Sequence, residues 1–397
     1  MEILEYMSQN DFGQLSAYTD NKVGLKAFIS IHDTTLGPAL GGVRVWPHPT
    51  EEAAIEDVLK LGKAMTYKAA AAGLNFGGGK GLIIANPQKD KTEGLMRSFG
   101  KFVDSLGGQY LTAEDVGMTS RDLEWIAMET SYVTGLPISS GGSGDTSIMT
   151  GFGVYQGMKA CSREIWGTDS LSGRTISMQG FGSTAQALAN QILSAEENVR
   201  LIICDIDKSA IEKARLLGAE IVDKEEIYGV KSDIFSPCAL GGILNSETIP
   251  QINASIICGS ANNQLLDEWS STEISKRSIL YAPDFIVNAG GIINISCEVG
   301  RTYNEFDAYK KTEGIYHTIR QIISEASLEG VKRGEVALCR ASISIDNSAD
   351  HDCVYLKAEK EILGIVIEAV TADDPDEELI HLLTQVLAEN FKATEEW

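Results

Sequence analysis

Residues 23 to 31, VGLKAFISI, place apolar side chains close to alternate positions, which predicts a strand. The run continues through GLKAFISIHDTTLGPALGGVRVW as strand, turn, strand, with Gly37-Pro38 and Gly41-Gly42 carrying the turn. Thr50-Glu51-Glu52 opens a helix that runs to about Lys63. Thr50 suits an N-cap, and the early glutamates suit the positive helix end. GLIIA, Gly81 to Ala85, reads as a short buried strand ended by Asn86-Pro87. Residues 92 to 106 predict an amphipathic helix, and Tyr110-Leu111-Thr112 a further strand. Strands outnumber helices here, as in a mixed or α+β first domain.

LPISSGGSGDT, Leu136 to Thr146, is rich in Gly and Ser and marks a linker. Beyond it the period changes. Residues 149 to 166 are helical. Thr175 to Ala195 reads as strand, glycine turn and helix, and Val199 to Cys204 as a second strand. Helical and extended segments then alternate, which argues a parallel, doubly wound sheet. Residues 304 to 334 predict one long helix. Near the end, Asp374-Pro375-Asp376-Glu377 resembles a helix start. Leu379, Leu383, Val386, Leu387 and Phe391 follow at helical spacing. The pattern divides the chain at 1–147 and 148–334, with helices in 335–397 packing back on the first part. The fold class is α/β, two domains, the second a doubly wound Rossmann domain, with a cleft between them.

Length and composition agree: 397 residues favour two domains, and 43% hydrophobic content supports sizeable cores. A net charge of −23 speaks against nucleic acid and anionic membranes as partners. The seven cysteines form no CxxC pair and several sit in apolar runs, as buried thiols do in a reducing compartment. The histidines are dispersed and no HExxH appears, so no metal site is expected. MEILEYMSQNDFG has no apolar core for a signal peptide, and no apolar run reaches transmembrane length, so a cytoplasmic location is expected.

Chemistry concentrates first in MTYKAAAAGLNFGGGKG, Met65 to Gly81. Lys68 and Lys80 lie among alanines and glycines with no acidic neighbour in sequence. A lysine desolvated in this way loses proton affinity and becomes a usable base. Gly77 to Gly79 would let backbone approach a ligand and take positive φ angles; a glycine turn ending in a surface lysine is the plainer alternative. A phosphate-cradling P-loop is excluded, because Leu74 stands where its first glycine belongs and Gly81 where it needs Ser or Thr. The second concentration is TISMQGFGSTA, Thr175 to Ala185. It sets GxGxxA between a strand and a helix: Gly180 for the tight turn, Gly182 for close approach of a pyrophosphate, Ala185 for helix–strand packing. Asp205 ends the next strand, LIICD. An acid there accepts from a ribose 2′-hydroxyl and repels a 2′-phosphate, which predicts NAD over NADP. Third, AEDVG puts Glu114 and Asp115 just past a strand, where carboxylates often line a cleft, although a solvated acidic loop would read the same way.

MTYKAAAAGLNFGGGKG, EDVG and the fingerprint together resemble the amino-acid dehydrogenases that include leucine, valine and phenylalanine dehydrogenase, relatives of glutamate dehydrogenase. The likeness runs from about Ile31 to Glu298. It implies a substrate and oligomerisation domain before residue 148 and an NAD-binding domain after it. It also implies Lys80 as catalytic lysine, Asp115 as proton carrier and Lys68 as the seat of the substrate carboxylate. Leu40 and Gly41 (in LGPALGGVRVW), Ala113, Thr134, Asn262, Ile292 and Ile295 would complete the substrate site; for the isoleucines, core packing is the alternative. Thr150, Gly180, Phe181, Gly182, Ser183, Thr184, Asp205, Ile206, Cys238, Ala239, Ala261, Asn262 and Asn288 would hold the dinucleotide; Ser147 has no independent support. The implied reaction is oxidative deamination of an amino acid to a 2-oxo acid and ammonia, and its reverse. The small aliphatic residues point to leucine, with valine and isoleucine accepted and aromatic amino acids as runner-up. The resemblance further implies a homo-oligomer, dimer or octamer. A non-catalytic NAD-binding regulator is the reading of another class; the presence of Lys68, Lys80 and Asp115 speaks against it. The sequence departs from the family at Gly81, at Thr146 and Ile148 in the linker, and after Arg340. Its last 27 residues hold eight acids and one lysine.

Overall fold

The computed structural model describes residues 2–329. Sequence expectations beyond them, the helix at Pro375 and the packing of 335–397 included, lie outside the described residues. The first half contains α1 (Ile3–Gln9), β1 (Gln14–Asp20), β2 (Leu25–Asp33), β3 (Ala39–Leu40), β4 (Val43–Trp46), α2 (Glu51–Ala71), β5 (Gly77–Ile84), α3 (Glu93–Asp104), β6 (Tyr110–Leu111) and α4 (Ser120–Ala127). Its sheet runs β1-β2-β5-β3-β6, with β4 also on β5. β1, β2 and β5 are antiparallel, whereas β3 and β4 run parallel to β5. The β1 strand and α1 carry weak patterns that the sequence reading passed over.

The second half contains α5 (Thr146–Trp166), β7 (Thr175–Gln179), α6 (Ser183–Ala195), β8 (Arg200–Cys204), α7 (Lys208–Leu216), β9 (Glu220–Ile221), β10 (Ile234–Pro237), β11 (Ile256–Ile257), α8 (Glu268–Lys276), β12 (Leu280–Tyr281), α9 (Asp284–Val287), α10 (Gly290–Ser296) and α11 (Glu305–Glu329). Its strands are all parallel, in the order β12-β11-β10-β7-β8-β9. The chain leaves β7 toward β8 on one side and returns to β10 on the other. This is the doubly wound arrangement, with its switch point at the end of β7.

Three local predictions are corrected. The helix expected to stop at Lys63 continues to Ala71 and carries Lys68. The strand expected from Gly81 starts at Gly77, so the three glycines are extended backbone, and none has a positive φ. Gly41-Gly42 makes no turn: β3 and β4 pair in succession with the same strand, β5. One steric cause lies behind all three. A Cβ on Gly78 would stand 2.0 Å from the Thr66 nitrogen, and one on Gly41 1.9 Å from the Gly79 carbonyl oxygen. The glycines let α2 lie directly on β5 and let neighbouring strands close up. Burial on one side then keeps α2 helical past the point where its pattern weakens.

One buried apolar cluster crosses from the first half to the second. It joins Leu40, Ala69, Leu74, Leu111 and Ala113 to Met149 and Phe152 of α5 and to Ile292 and Ile295 of α10. A separate cluster, with Ile29, Val45, Phe99 and Phe102, fills the space between the first sheet and α3. Among the described residues no helix is long and apolar enough to cross a membrane.

Candidate active site

Because α2 packs on β5, their lysines converge. Lys80 is 5% exposed, and its Nζ lies 3.0 Å from Asp115 Oδ2. Asp115 arrives from the loop after β6. The same Oδ2 accepts from Arg44 Nε of β4 at 3.1 Å. Burial would raise the Asp115 pKa; Lys80 and Arg44 outweigh it and hold the carboxyl below the usual carboxylate range. So Lys80 does have an acidic partner, one that sequence proximity could not show. Lys68 does not: among the described residues its ammonium makes no hydrogen bond or ion pair. Loss of hydration brings its pKa down from 10.5 to about 8, partly countered by the negative charge of Asp284, while Lys80 and Asp115 are also within electrostatic reach. A cation of this kind is a seat for an anion.

Leu40, Ala113, Ile292 and Ile295, four residues predicted for the pocket, all belong to the large apolar cluster that spans the two halves. Gly41 and Ala113 are fixed through backbone: Gly41 N–H donates to Leu111 O, and Val43 N–H to Ala113 O. Tyr110 Oη donates to the Gly41 carbonyl at 2.6 Å. Thr134 is 2% exposed, and its hydroxyl donates to Thr112 O, a structural bond that leaves it little to offer a substrate.

In the second half, Gly180 has φ +93°, which only glycine adopts readily, and a Cβ there would meet Ala239 at 2.6 Å. Gly182 differs: a Cβ there would meet nothing within 4 Å. No side chain caps α6, so the amides of Ser183 and Thr184 begin a helix whose positive end faces open space. Asp205 Oδ2 accepts from Phe181 N–H at 2.6 Å, tying the turn to the end of β8. Ile206 beside it is 87% exposed. Phe181 itself is fully buried, so its side chain supports the turn rather than lining a site. Cys238 N–H donates to Gln179 O and Ala261 N–H to Pro237 O, which places both at the carboxyl ends of the central strands. Asn288 Nδ2 donates to Asn262 Oδ1 at 2.8 Å. Among the described residues the buried Oδ1 of Asn288 has no donor. Thr150 Oγ1 donates to Thr146 O, while Ser147 donates its N–H to its helix cap, Asp145. An open glycine, an uncapped helix end, a strand-end carboxylate and an unpaired amide oxygen fit a dinucleotide.

A family model described as Glu/Leu/Phe/Val dehydrogenase, dimerisation domain, matches residues 14–132, and one described as Glutamate/Leucine/Phenylalanine/Valine dehydrogenase matches residues 201–347. The chain belongs to the Glu/Leu/Phe/Val dehydrogenase family. It is 46% identical over 365 residues to leucine dehydrogenase of Bacillus cereus, covering 92% of this chain and 99% of that one. It is 48% identical over 332 residues to leucine dehydrogenase of Geobacillus stearothermophilus, covering 83% and 90%. Among solved structures, L-tryptophan dehydrogenase from Nostoc punctiforme superposes with a TM-score of 0.74 at 41% identity, covering 87% of this chain and 99% of that one. As a member of this family the protein is an amino-acid dehydrogenase that uses a nicotinamide dinucleotide.

The sequence reading missed three groups in this family member's site. Arg44 is half-hidden in VRVW, and nothing local links it to Asp115, 71 residues on. Asp284 faces Lys68 from the other half of the molecule; burial raises its pKa, against hydrogen bonds from the Gln264 and Phe285 amides and the charge of Lys68. Glu298, after α10, accepts from the amides of Gly135 and Ser143 and so fastens the linker. Proline at 283, just before Asp284, was the one signal of a helix start that would have drawn attention to it.

Proposed function

We propose that this enzyme catalyses the NAD-dependent oxidative deamination of branched-chain L-amino acids, leucine first with valine and isoleucine, and the reverse reductive amination. In this reading residues 1–147 hold the substrate and form a homo-oligomer, and residues 148–334 bind the dinucleotide. The observation that carries it is the Lys80–Asp115 pair within electrostatic reach of Lys68, which has no hydrogen bond or ion pair among the described residues, together with Leu40, Ala113, Ile292 and Ile295 in one apolar cluster across the two halves.

Lys68 receives the substrate carboxylate, which restores the charge balance that burial denies it. The aliphatic residues take up the side chain; Ala113 and Leu40 favour a branched aliphatic group. Asn262, held by Asn288, contributes a polar edge where substrate and nicotinamide ribose would meet. A bound NAD would supply the acceptor for the hydride that leaves the substrate Cα. The resulting iminium is attacked by water, and the chain must then move protons. Lys80 Nζ holds the proton of the attacking water and stabilises the oxygen that forms. Asp115, 3.0 Å away, carries protons to and from the departing ammonia. Asp205 accepts from the adenosine ribose and disfavours a 2′-phosphate, and Ile206 offers an apolar surface beside it. The dimerisation-domain match over 14–132 supports self-association through the first half.

Initial rates of NADH formation on leucine, valine, isoleucine and phenylalanine test the reading, with Lys80→Ala as control. Leucine should give the highest kcat/KM. Lys80→Ala should lose at least about 10²-fold in turnover, the scale of a lost proton-transfer group, while NAD still binds. Faster turnover of phenylalanine, or near-wild-type turnover by Lys80→Ala, would sink it.

A further inference from the structure

Asp115 is held by more than its lysine. Arg44 donates through Nε to Asp115 Oδ2 at 3.1 Å and through Nη1 to Asp57 Oδ2 at 3.1 Å and Oδ1 at 3.4 Å. One guanidinium thus bridges two carboxylates, one on α2 and one in the site. His48 Nε2 lies 3.2 Å from Asp57 Oδ2, near enough for an ion pair but off the line of a hydrogen bond. These side chains are only 12–26% exposed, so their interactions are screened far less than those of surface pairs. Lys80 and Arg44 converge on the same oxygen of Asp115. Among the described residues, no hydrogen bond reaches the other oxygen, Oδ1.

We infer that Arg44, anchored by Asp57, is a positioning residue for the deamination: it holds Asp115 as a carboxylate with Oδ2 tied to the protein and Oδ1 left for the reacting nitrogen and its water. This rests on the reading of Asp115 as the proton carrier. The guanidinium suits the task because its planar fork fixes both carboxylates at once, and because it stays charged at every working pH. A carboxylate held at one oxygen by two cations turns less freely than an unheld one. Its free oxygen is then presented without reorganisation when the iminium forms. Asp57 matters because without it the Arg44 fork loses one of its two attachments.

The pH dependence follows from the charges around Asp115. Lys80 faces it from β5 and Arg44 from β4, with Lys68 on α2 at longer range. Buried Tyr110 lies on the β6 side, and Glu114 is the adjacent acid. Beyond Arg44 stand Asp57 and His48. Removing the Arg44 cation raises the proton affinity of Asp115, which acts as a carboxylate, and so moves the acidic limb of activity to higher pH.

Kinetics of Arg44→Met, Arg44→Lys and Asp115→Asn across pH test the proposal, with NAD binding followed by fluorescence. Arg44→Met should lower kcat about 10- to 100-fold, as loss of a group that orients a functional side chain does. KM for leucine should change less than about threefold, because substrate binding does not use this side chain. The acidic limb should move up by about one pH unit, and NAD affinity should hold. Arg44→Lys should recover part of both the rate and the limb. Wild-type kcat and pH profile in Arg44→Met, with Asp115→Asn inactive, would overturn the role of Arg44 and leave the site reading intact. Wild-type turnover in Asp115→Asn would overturn the site reading and the inference with it. Should Arg44→Met fail to fold, Asp57→Asn takes its place. Because this variant keeps the Arg44 cation and removes a neighbouring negative charge, the limb should not move up; a several-fold loss of kcat with KM for leucine changed less than about threefold supports the inference, and a lower Tm with unaltered kinetics overturns it.

Discussion

Two glycine-rich segments of this protein look alike as strings and do opposite things. In GGGKG, Gly77 to Gly81, protein surrounds each glycine: a Cβ on Gly77 would lie 1.9 Å from the Asp33 carbonyl oxygen, and one on Gly78 2.0 Å from the Thr66 nitrogen. In GFGS, only Gly180 is crowded, and around Gly182 a Cβ would find nothing within 4 Å. The first set removes side chains so that protein can approach protein, and by that approach α2 and β5 bring Lys68 and Lys80 to one site. The second removes a side chain so that something absent from the chain can approach. Whether a glycine serves packing or binding is decided by what its missing methyl would touch.

The largest effect expected from this contrast is at the filled segment. Gly78→Ala cannot be absorbed by rotation of a side chain, because the nearest atoms are the backbone of α2. Forcing the helix off the strand should cost at least about 3 kcal/mol, the upper range for overpacking a core. Urea unfolding should show a lower midpoint, or the variant should fail to accumulate as soluble protein. Stability within about 0.5 kcal/mol of wild type, the range of an inert surface change, would mean that α2 does not depend on that close approach.

Much of the architecture was legible before any coordinates. The alternation at 23–31 and the strand–turn–helix at 175–195 each carry a local signal strong enough to survive tertiary context. The βαβ fingerprint is legible for a further reason: its glycines answer to a ligand and to a tight turn, both local demands. GGGKG was misread because its demand is not local. Its glycines answer to a helix that begins 26 residues earlier, at Glu51. The same holds in the site. Lys80 and Lys68 stand out in sequence as lysines without acids nearby, but only the fold shows that Lys80 pairs with Asp115 and that Lys68 has Asp284 within electrostatic reach but no ion pair among the described residues. Arg44 carries no mark at all until β4 is laid against β5.

Lys68 offers the next sharpening. With its folded pKa near 8 and its usual value 10.5, its proton is held less tightly in the folded chain. Between those two values unfolding takes up a proton, so stability rises with pH across that window. Below about pH 8 the full penalty is present. Lys68→Met escapes it and should be more stable than wild type at pH 7 by up to about 3 kcal/mol. The gap should close as pH approaches 10.5. The same variant should lose about 2 kcal/mol or more in leucine binding, read as KM, because in the proposed reading the half-buried partner of the carboxylate is gone. A constant stability difference from pH 7 to 10.5 would show that burial does not depress this lysine. The packed segment would then have lost its functional consequence.

At the open segment the effect should fall on binding alone. Gly182→Ala keeps an ordinary extended φ and meets no protein atom, so its stability should stay within about 1 kcal/mol of wild type. In the proposed reading the added methyl occupies the space a pyrophosphate would take. It should weaken NAD binding by about 1–3 kcal/mol, as a small overpacking does, with NADH titration as the measurement. Loss of stability without loss of NAD affinity would reverse the contrast between the two segments.

The smallest expected effect concerns which dinucleotide the open segment prefers. In the proposed reading Asp205 has two tasks. Through Oδ2 it holds the Phe181 amide at 2.6 Å and through Oδ1 the Asp207 amide at 2.8 Å, so part of its value is in shaping the glycine turn. The rest is in accepting from a ribose hydroxyl and repelling a phosphate. Asp205→Ala removes both, with different signatures. The turn should loosen by about 1 kcal/mol, the net worth of a hydrogen bond, and this weakens NAD and NADP alike. The repulsion acts on NADP alone, so its removal should lower the ratio of kcat/KM for NAD over NADP by about tenfold, or 1.4 kcal/mol. Equal losses for both cofactors with an unchanged ratio would mean that Asp205 acts only as a brace for the turn. The preference would then have to come from Ile206 and Asp207, the exposed residues that follow it.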